Sequence, residues 1–97
     1  MPTQALTLLN NEFTLLQANY LADRVWKAAG ADPKKQVSEM YRIAFSREPA
    51  ESEMRANLAF LDKQKTSAKG GGDAAERSAL GDLSHVVLNL NEFVYLK

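Results

Sequence analysis

The side chains of this chain that are best suited to chemistry lie near its C-terminal end, where Asp82, Ser84 and the single histidine, His85, fall within one helical turn. An acid, a hydroxyl and an imidazole are the side chains of a hydrolytic triad. Successive residues of a helix point about 100° apart, so Ser84 and His85 cannot face each other on one helix. A hydrolase would therefore need Asp82, His85 and an acidic partner to converge from different helices.

The sequence contains few residues that could bind a metal ion or a redox cofactor. The chain has one His and no Cys, which excludes thiolate zinc sites, iron–sulfur clusters, covalently attached haem and a cysteine nucleophile. Asp82 precedes His85 by three positions, but Asn89 follows at i+4, so a helical metal site lacks further ligands. We predict no catalytic residue, no metal site and no cofactor, and we interpret His85 as structural.

Two other side chains could contribute to a binding surface. Trp26 lies beside Val25, where it could fill the core or stack on a ligand. Arg47 belongs to a stretch in which basic and acidic residues alternate, a pattern that favours a solvated surface over a nucleic-acid patch. The 12 basic and 12 acidic residues of the chain also balance, so no nucleic-acid partner is predicted. We select Trp26, Arg47 and His85 as a possible interaction or ligand surface.

The first half of the chain predicts the helices that must position these side chains. A short helix over residues 3–9, a break at Asn10 or Asn11, and a longer helix that ends at Gly30 are predicted. The apolar residues that we expect to form the buried face of the longer helix are Phe13, Leu16, Tyr20, Leu21, Val25 and Ala28. Asp32 and Pro33 suit the cap and first position of the next helix. Its predicted buried face is Val37, Met40, Tyr41, Ala44 and Phe45.

The second half predicts two more helices. One begins near Ala50 or Glu51, after a turn that ends at Pro49, and its apolar stripe is Met54, Leu58 and Leu61. A flexible glycine-rich loop is predicted near residues 66–73, with Asp73 as the cap of the last helix. The stripe of that helix is Leu80, Leu83, Val87 and Leu90, with Phe93, Tyr95 and Leu96 folding back onto the core. Gly81 lies within it and predicts a close approach of two helices.

These patterns predict an all-α fold, a compact bundle or orthogonal array of about four helices, with residues 1–97 as one domain. No segment alternates polar and apolar residues as a strand would. No window of about 20 apolar residues is present, so no membrane insertion is predicted. The first residues lack the basic and apolar regions of a secretory signal.

Four segments resemble, in order, the C-terminal domain of the planctomycete PSD1 family, a domain of unknown function. They are PTQALTLLNN at 2–11, followed by Phe13; LADRV at 21–25; YRIAFSREP at 41–49, followed by Glu53; and LGDLSHVVLNLNEFVY at 80–95. One departure is Ala50, where the family often has a Thr or Ser helix cap. The resemblance spans nearly the whole chain.

The resemblance implies an exported or periplasmic parent protein with a preceding PSD1 region. Members of the family often also have a cytochrome-c-like domain. Its haem motif has no counterpart here, because the chain lacks Cys. Our main hypothesis is a noncatalytic docking domain whose partner is that preceding PSD1 region, in the same protein or another. The alternative is a carbohydrate or small-ligand module that uses exposed aromatic residues, namely Trp26, Tyr20, Tyr41 or Tyr95. The oligomeric state is left open.

Overall fold

Four α-helices make up the part of the chain that the computed structural model describes, residues 14–68 and 70–90, and no strand occurs in these ranges. They are α1 (Thr14–Ala29), α2 (Pro33–Phe45), α3 (Glu51–Ser67) and α4 (Gly72–Leu88). The predicted all-α fold of about four helices is confirmed. Four predictions lie outside the described residues: the short helix at 3–9, the cap at Asn10 or Asn11, the burial of Phe13 and the packing of residues 93–96. No described helix is both long and apolar enough to span a membrane.

The second helix, α2, follows its sequence signals closely. The Asp32 carboxylate accepts hydrogen bonds from the backbone N–H groups of Lys34 and Lys35, at 3.1 and 3.4 Å. Pro33 occupies the first turn, where its missing N–H removes no helical bond. At the other end Ser46 adopts a left-handed conformation with φ of +59° and closes the helix through its N–H to the Arg42 carbonyl. The predicted cap and start of this helix are therefore confirmed.

One hydrophobic core joins the four helices. α4 packs against each of the other three, and α2 also packs against α1 and α3. The buried members of this core are Leu21, Val25, Val37, Met40, Tyr41, Leu61, Ala79, Leu80, Leu83 and Val87. The predicted buried stripes of α2, α3 and α4 lie in or against this core, except that Leu90 is 39% exposed. That residues 1–97 form one domain stays a prediction.

The predicted buried face of α1 is partly wrong. Leu16 and Tyr20 are 66% and 63% exposed, and Ala28 is exposed as well. The face that enters the core contains Ala18, Leu21 and Val25, with Ala22 packed beside them. The small side chains of Ala18 and Ala22 allow a close approach to neighbouring helices, and this turns the larger Leu16 and Tyr20 towards solvent.

Glycines account for two further corrections, both in α4. The helix starts at Gly72 with Gly71 at the cap position, so Asp73 lies in the first turn and is not the cap. Gly71 and Gly72 have φ of +59° and +60°, a region that favours glycine. The close helix approach expected at Gly81 is absent, since a Cβ there would meet no atom within 4 Å.

The third helix is longer than predicted. α3 continues to Ser67, into the segment predicted as a loop. The flexibility predicted for residues 66–73 stays a prediction.

Candidate functional site

Trp26 lines a cleft of about 240 Å³ between α1 and α4, and this cleft includes neither Arg47 nor His85. The Arg77 guanidinium lies over the indole, 4.9 Å from the ring centroid. Arg77 Nη2 also lies 3.3 Å from Asp23 Oδ1. Because Arg77 covers the ring and Trp26 also packs against the core, a sugar could stack on this indole only by displacing Arg77.

No side-chain hydrogen bond joins Asp82, Ser84 and His85, the residues that suggested a hydrolytic triad, to one another. The Ser84 side chain is fully buried, with 0% exposure, and its hydroxyl has no hydrogen-bond partner among the described residues. Asp82 Oδ2 accepts a hydrogen bond from the Gln64 side chain at 2.9 Å. His85 is partly exposed, and its carbonyl accepts a bond from Asn89. Within the described ranges, no group of three potential metal ligands comes together.

Arg47 lies in the turn between α2 and α3, where it binds the carboxylate of Glu53 through two parallel hydrogen bonds. Nη1 donates to Oε1 at 2.8 Å and Nη2 donates to Oε2 at 3.0 Å. Nη1 also donates to the Glu48 carbonyl at 3.0 Å. The guanidinium carbon lies 5.3 and 5.6 Å from the ring centroids of Tyr41 and Phe45. Arg47 thus ties the turn both to α3 and to the aromatic end of α2.

Glu53 also compensates for the missing side-chain cap at Ala50. Its Oε1 accepts the Ala50 N–H at 2.7 Å, which satisfies one backbone donor at the start of α3. The hydrogen bonds from Arg47 and then from the Ala50 N–H, together with the charge of Arg47, lower the pKa of Glu53 from 4.5 to about 2. The Arg47–Glu53 pair is therefore a structural element of the corner between the two helices.

The low pKa of Glu53 makes the stability of the corner between α2 and α3 depend on pH. Because the folded-state pKa of Glu53 lies below the unfolded value of 4.5, the pair stabilises the fold fully above about pH 5 and loses this contribution as the pH falls towards 2. Both side chains are about one third exposed, so solvent screening reduces the effect. We expect about 1 kcal/mol of stability to disappear from this pair between pH 6 and pH 3, as measured by urea unfolding.

Glu53→Gln provides the comparison, because the amide cannot ionise. This variant should be less stable than the wild type at pH 6, and the difference should shrink at pH 3. Glu51→Gln is the matched control, since Glu51 is exposed at the same end of α3. An equal dependence on pH for wild type and Glu53→Gln would contradict the prediction.

Among residues 14–68 and 70–90, the large apolar side chains that are exposed lie on α1, on α4 or just after α4. On α1, Leu15, Leu16 and Tyr20 are 55%, 66% and 63% exposed, and on α4 and just after it Val86 and Leu90 are 43% and 39% exposed. Leu16 and Tyr20 are one turn apart and share a face. Arg24, one turn further along, lies 6.0 Å from the centroid of the Tyr20 ring.

The packing of α1 on α4 brings these residues to one end of the bundle. Trp26, late in α1, contacts Arg77, early in α4. Tyr20, nearer the start of α1, lines a cleft with Leu88 at the end of α4. The two helices are therefore antiparallel, and the exposed residues of both lie at the same end. We call Leu15, Leu16, Tyr20, Val86 and Leu90 the apolar end.

Three of the aromatic residues proposed for ligand binding, Trp26, Tyr20 and Tyr41, are described by the structure and do not converge. Tyr41 is 3% exposed, and its hydroxyl accepts a hydrogen bond from Asn57 at 2.9 Å. Tyr20 is open to solvent, whereas Trp26 lies beneath Arg77 in a different cleft. Tyr95 lies outside the described residues. The predicted role of Trp26, Arg47 and His85 as one surface stays a prediction.

Comparison with models of protein families places part of the chain in a family. The model of the PSD1 family, described as a protein of unknown function (DUF1553), matches residues 1–61. Three of the four segments that carried the resemblance lie within this range, and the segment at 80–95 lies beyond it. No curated protein and no solved structure matches the chain.

Proposed function

The chain belongs to the PSD1 family of proteins of unknown function, and from this premise we propose that it acts as a noncatalytic docking domain of a larger, exported planctomycete-type protein. The observation that carries the proposal is the apolar end. A stable monomeric surface rarely groups large apolar side chains, and such groups often mark interaction sites. Leu16 and Tyr20 are the most exposed of this group.

The exposed face of α1 has the composition of an interface. Leu16, Tyr20 and Arg24 follow one another at four-residue steps, as the anchors of a helix that packs into a groove do. Tyrosine and arginine are also the residue types enriched among the side chains that dominate binding energy. A partner surface that fits this face is apolar, with a carboxylate near the position of Arg24.

The partner that we propose is the preceding PSD1 region that the family resemblance implies, in the same protein or in another. Docking of this region against the apolar end would bury side chains that the isolated helices leave in water. The alternative of a carbohydrate-binding module has less support, since Arg77 covers Trp26 and Tyr41 is buried.

The experiment measures binding between the two parts as separate proteins. Because the chain has no Cys, Lys35→Cys gives a single site for a fluorophore. Lys35 is exposed at the start of α2, which follows the end of α1, whereas Leu16 lies at the start of α1. Fluorescence anisotropy then follows titration with a purified PSD1 region. We expect Leu16→Lys and Tyr20→Lys to weaken binding at least tenfold, because each places a charge in an apolar contact.

Ala59→Lys is the matched control, since Ala59 is exposed on α3 and should tolerate lysine without loss of affinity. Equal binding by wild type and both variants of the apolar end, or no binding at about 100 μM PSD1 region, would overturn the proposal. Sedimentation of the chain alone is the second measurement. A dimer that Leu16→Lys dissociates would assign this surface to a second copy instead, and would also overturn it.

A further inference from the structure

A cleft opens at the apolar end, where α1, α2 and α4 meet. It has a volume of about 150 Å³, and its apolar walls are Leu21 of α1, Ile43 and Ala44 of α2, and Leu88 of α4, with Tyr20 beside them. Leu21 belongs to the core, and the other three wall residues pack against it. The core therefore holds the walls of this space in place. We call it the Tyr20 cleft.

The Tyr20 cleft has the size of one apolar side chain. A cavity of about 150 Å³ accommodates benzene, so this cleft has room for a side chain as large as leucine. Tyr20 belongs both to the cleft and to the apolar end, and Leu16 lies one helical turn before it. A partner that covers the apolar end therefore also meets the opening of the cleft.

The charge beside the cleft favours an anionic group on the partner. Among the described residues, Arg24 is the one charged side chain in the lining, and it is exposed. Its guanidinium carbon lies 6.0 Å from the centroid of the Tyr20 ring, and no described carboxylate pairs with it. The neighbouring carboxylate of Asp23 already contacts Lys27 and Arg77. A carboxylate of the partner can therefore pair with Arg24 without displacing another ion pair.

The backbone of the partner also has to be satisfied. Residues 14–68 and 70–90 contain no strand, so this part of the chain offers no sheet edge that an extended segment could join. A helix bonds its own N–H and C=O groups, so it can bury one face against an apolar cleft without leaving them unpaired. The chemistry of the cleft therefore fits a helix better than an extended peptide.

We propose that the Tyr20 cleft takes a leucine side chain from a helix of the partner protein, and that a carboxylate one turn along that helix pairs with Arg24. This inference rests on the docking proposed above and specifies which feature of the partner is recognised. The leucine packs against Ile43, Ala44 and Leu88, which lie outside the apolar end as defined above. The carboxylate accepts hydrogen bonds from the guanidinium of Arg24.

The test uses the whole chain labelled with ¹⁵N and synthetic alanine-based helical peptides of about 16 residues, a length at which such helices form in water. The parent peptide has one leucine at its centre, a glutamate four residues later on the same face, and lysines on the opposite face. NMR titrations at pH 7 follow the backbone amides. We expect saturable shifts, largest at residues 20, 43, 44 and 88, with a Kd of about 1 mM.

Changes in the peptide test the two contacts separately. Alanine in place of the leucine should weaken binding at least tenfold, because the apolar side chain no longer leaves water. Glutamine in place of the glutamate should weaken binding about threefold, the usual size of an exposed ion pair.

Changes in the protein connect binding to the cleft. Arg24→Glu should weaken binding of the parent peptide about fivefold and should prefer a peptide with lysine in place of the glutamate. Arg55→Glu, at an exposed position of α3, is the matched control and should leave both Kd values unchanged. Ala44→Leu fills the cleft from α2 and should weaken the parent peptide at least fivefold. Circular dichroism confirms that each variant is folded.

Three results would overturn the inference. They are no saturable shift up to about 5 mM parent peptide, equal Kd values for the leucine and alanine peptides, and a Kd for the parent peptide that Arg24→Glu does not change. If a PSD1 region nevertheless bound the chain, docking would stand and use other contacts. Binding of the parent peptide at the cleft without binding of a PSD1 region would overturn only the choice of that region as the partner.

Discussion

Leu21→Ala should destabilise the protein by about 3 kcal/mol, the usual loss when a buried leucine is cut back to alanine. Leu21 is 6% exposed and belongs to the core. Domains of this size have total stabilities of about 5–15 kcal/mol, so the loss is a large fraction of the whole. Thermal unfolding should show a midpoint about 12–24 °C lower, because 1 kcal/mol shifts a domain of this size by about 4–8 °C.

Leu16→Ala is the matched control, since it removes the same atoms from the same helix at a position that is 66% exposed. The loss there should be below about 0.5 kcal/mol, because little apolar surface is transferred back to water. The pair of variants therefore measures directly which face of α1 enters the core.

The result also bears on function, because the docking proposal requires Leu16 to be free of the core. Equal losses in the two variants would show that Leu16 is covered within the chain, and the apolar end would then lose its central residue. A small loss for Leu16→Ala together with a large one for Leu21→Ala would leave that surface open to a partner.

The sequence predicted helices best where local signals agreed. In α2 the capping Asp32, the proline after it and the apolar spacing through Tyr41 all indicated the same helix, which the structure contains. Pro49 likewise indicated the turn before α3. Such signals act within a few residues of the chain, so they can be read without knowledge of the fold.

The errors arose where packing between distant helices decided the outcome. In α1 two apolar faces compete, and the helical spacing of the larger apolar residues favoured a face with Leu16 and Tyr20 over the one that contains Ala18. The face with alanines enters the core because small residues permit close packing. Gly81 is the opposite case, since it suggested a close contact that the neighbouring helices do not make.

The candidate sites were harder to predict than the helices. Arg47 was selected from a stretch in which basic and acidic residues alternate, but its bidentate bond to Glu53 joins residues six apart and depends on the turn between them. Arg77 was missed, because its contact with the Trp26 ring joins two helices that are far apart in the sequence.

Arg47→Ala should be the most damaging change outside the core, with an expected loss of about 2 kcal/mol. It removes the paired hydrogen bonds to Glu53, the bond to the Glu48 carbonyl and the contacts with the rings of Tyr41 and Phe45. A bidentate pair and a cation–π contact each contribute about 0.5–1 kcal/mol at partly exposed sites. Chemical denaturation at pH 7 measures the loss.

Arg42→Ala is the matched control, because Arg42 also pairs with a glutamate, Glu39, through a single 3.1 Å contact with 59% of the arginine side chain exposed. This variant should lose only about 0.5 kcal/mol. A double-mutant cycle of Arg47→Ala with Glu53→Gln isolates the pair, and we expect a coupling of about 1 kcal/mol.

The cycle also separates two roles for Arg47. If Arg47 holds the corner between α2 and α3, its coupling with Glu53 is present in the chain alone. Arg47→Ala should then leave the affinity for a PSD1 region unchanged, when binding is measured at a low temperature at which the variant is folded. Zero coupling, or a stability equal to that of Arg42→Ala, would contradict the structural role. Arg47 would then be interpreted, like Trp26 and His85, as a candidate contact with a partner.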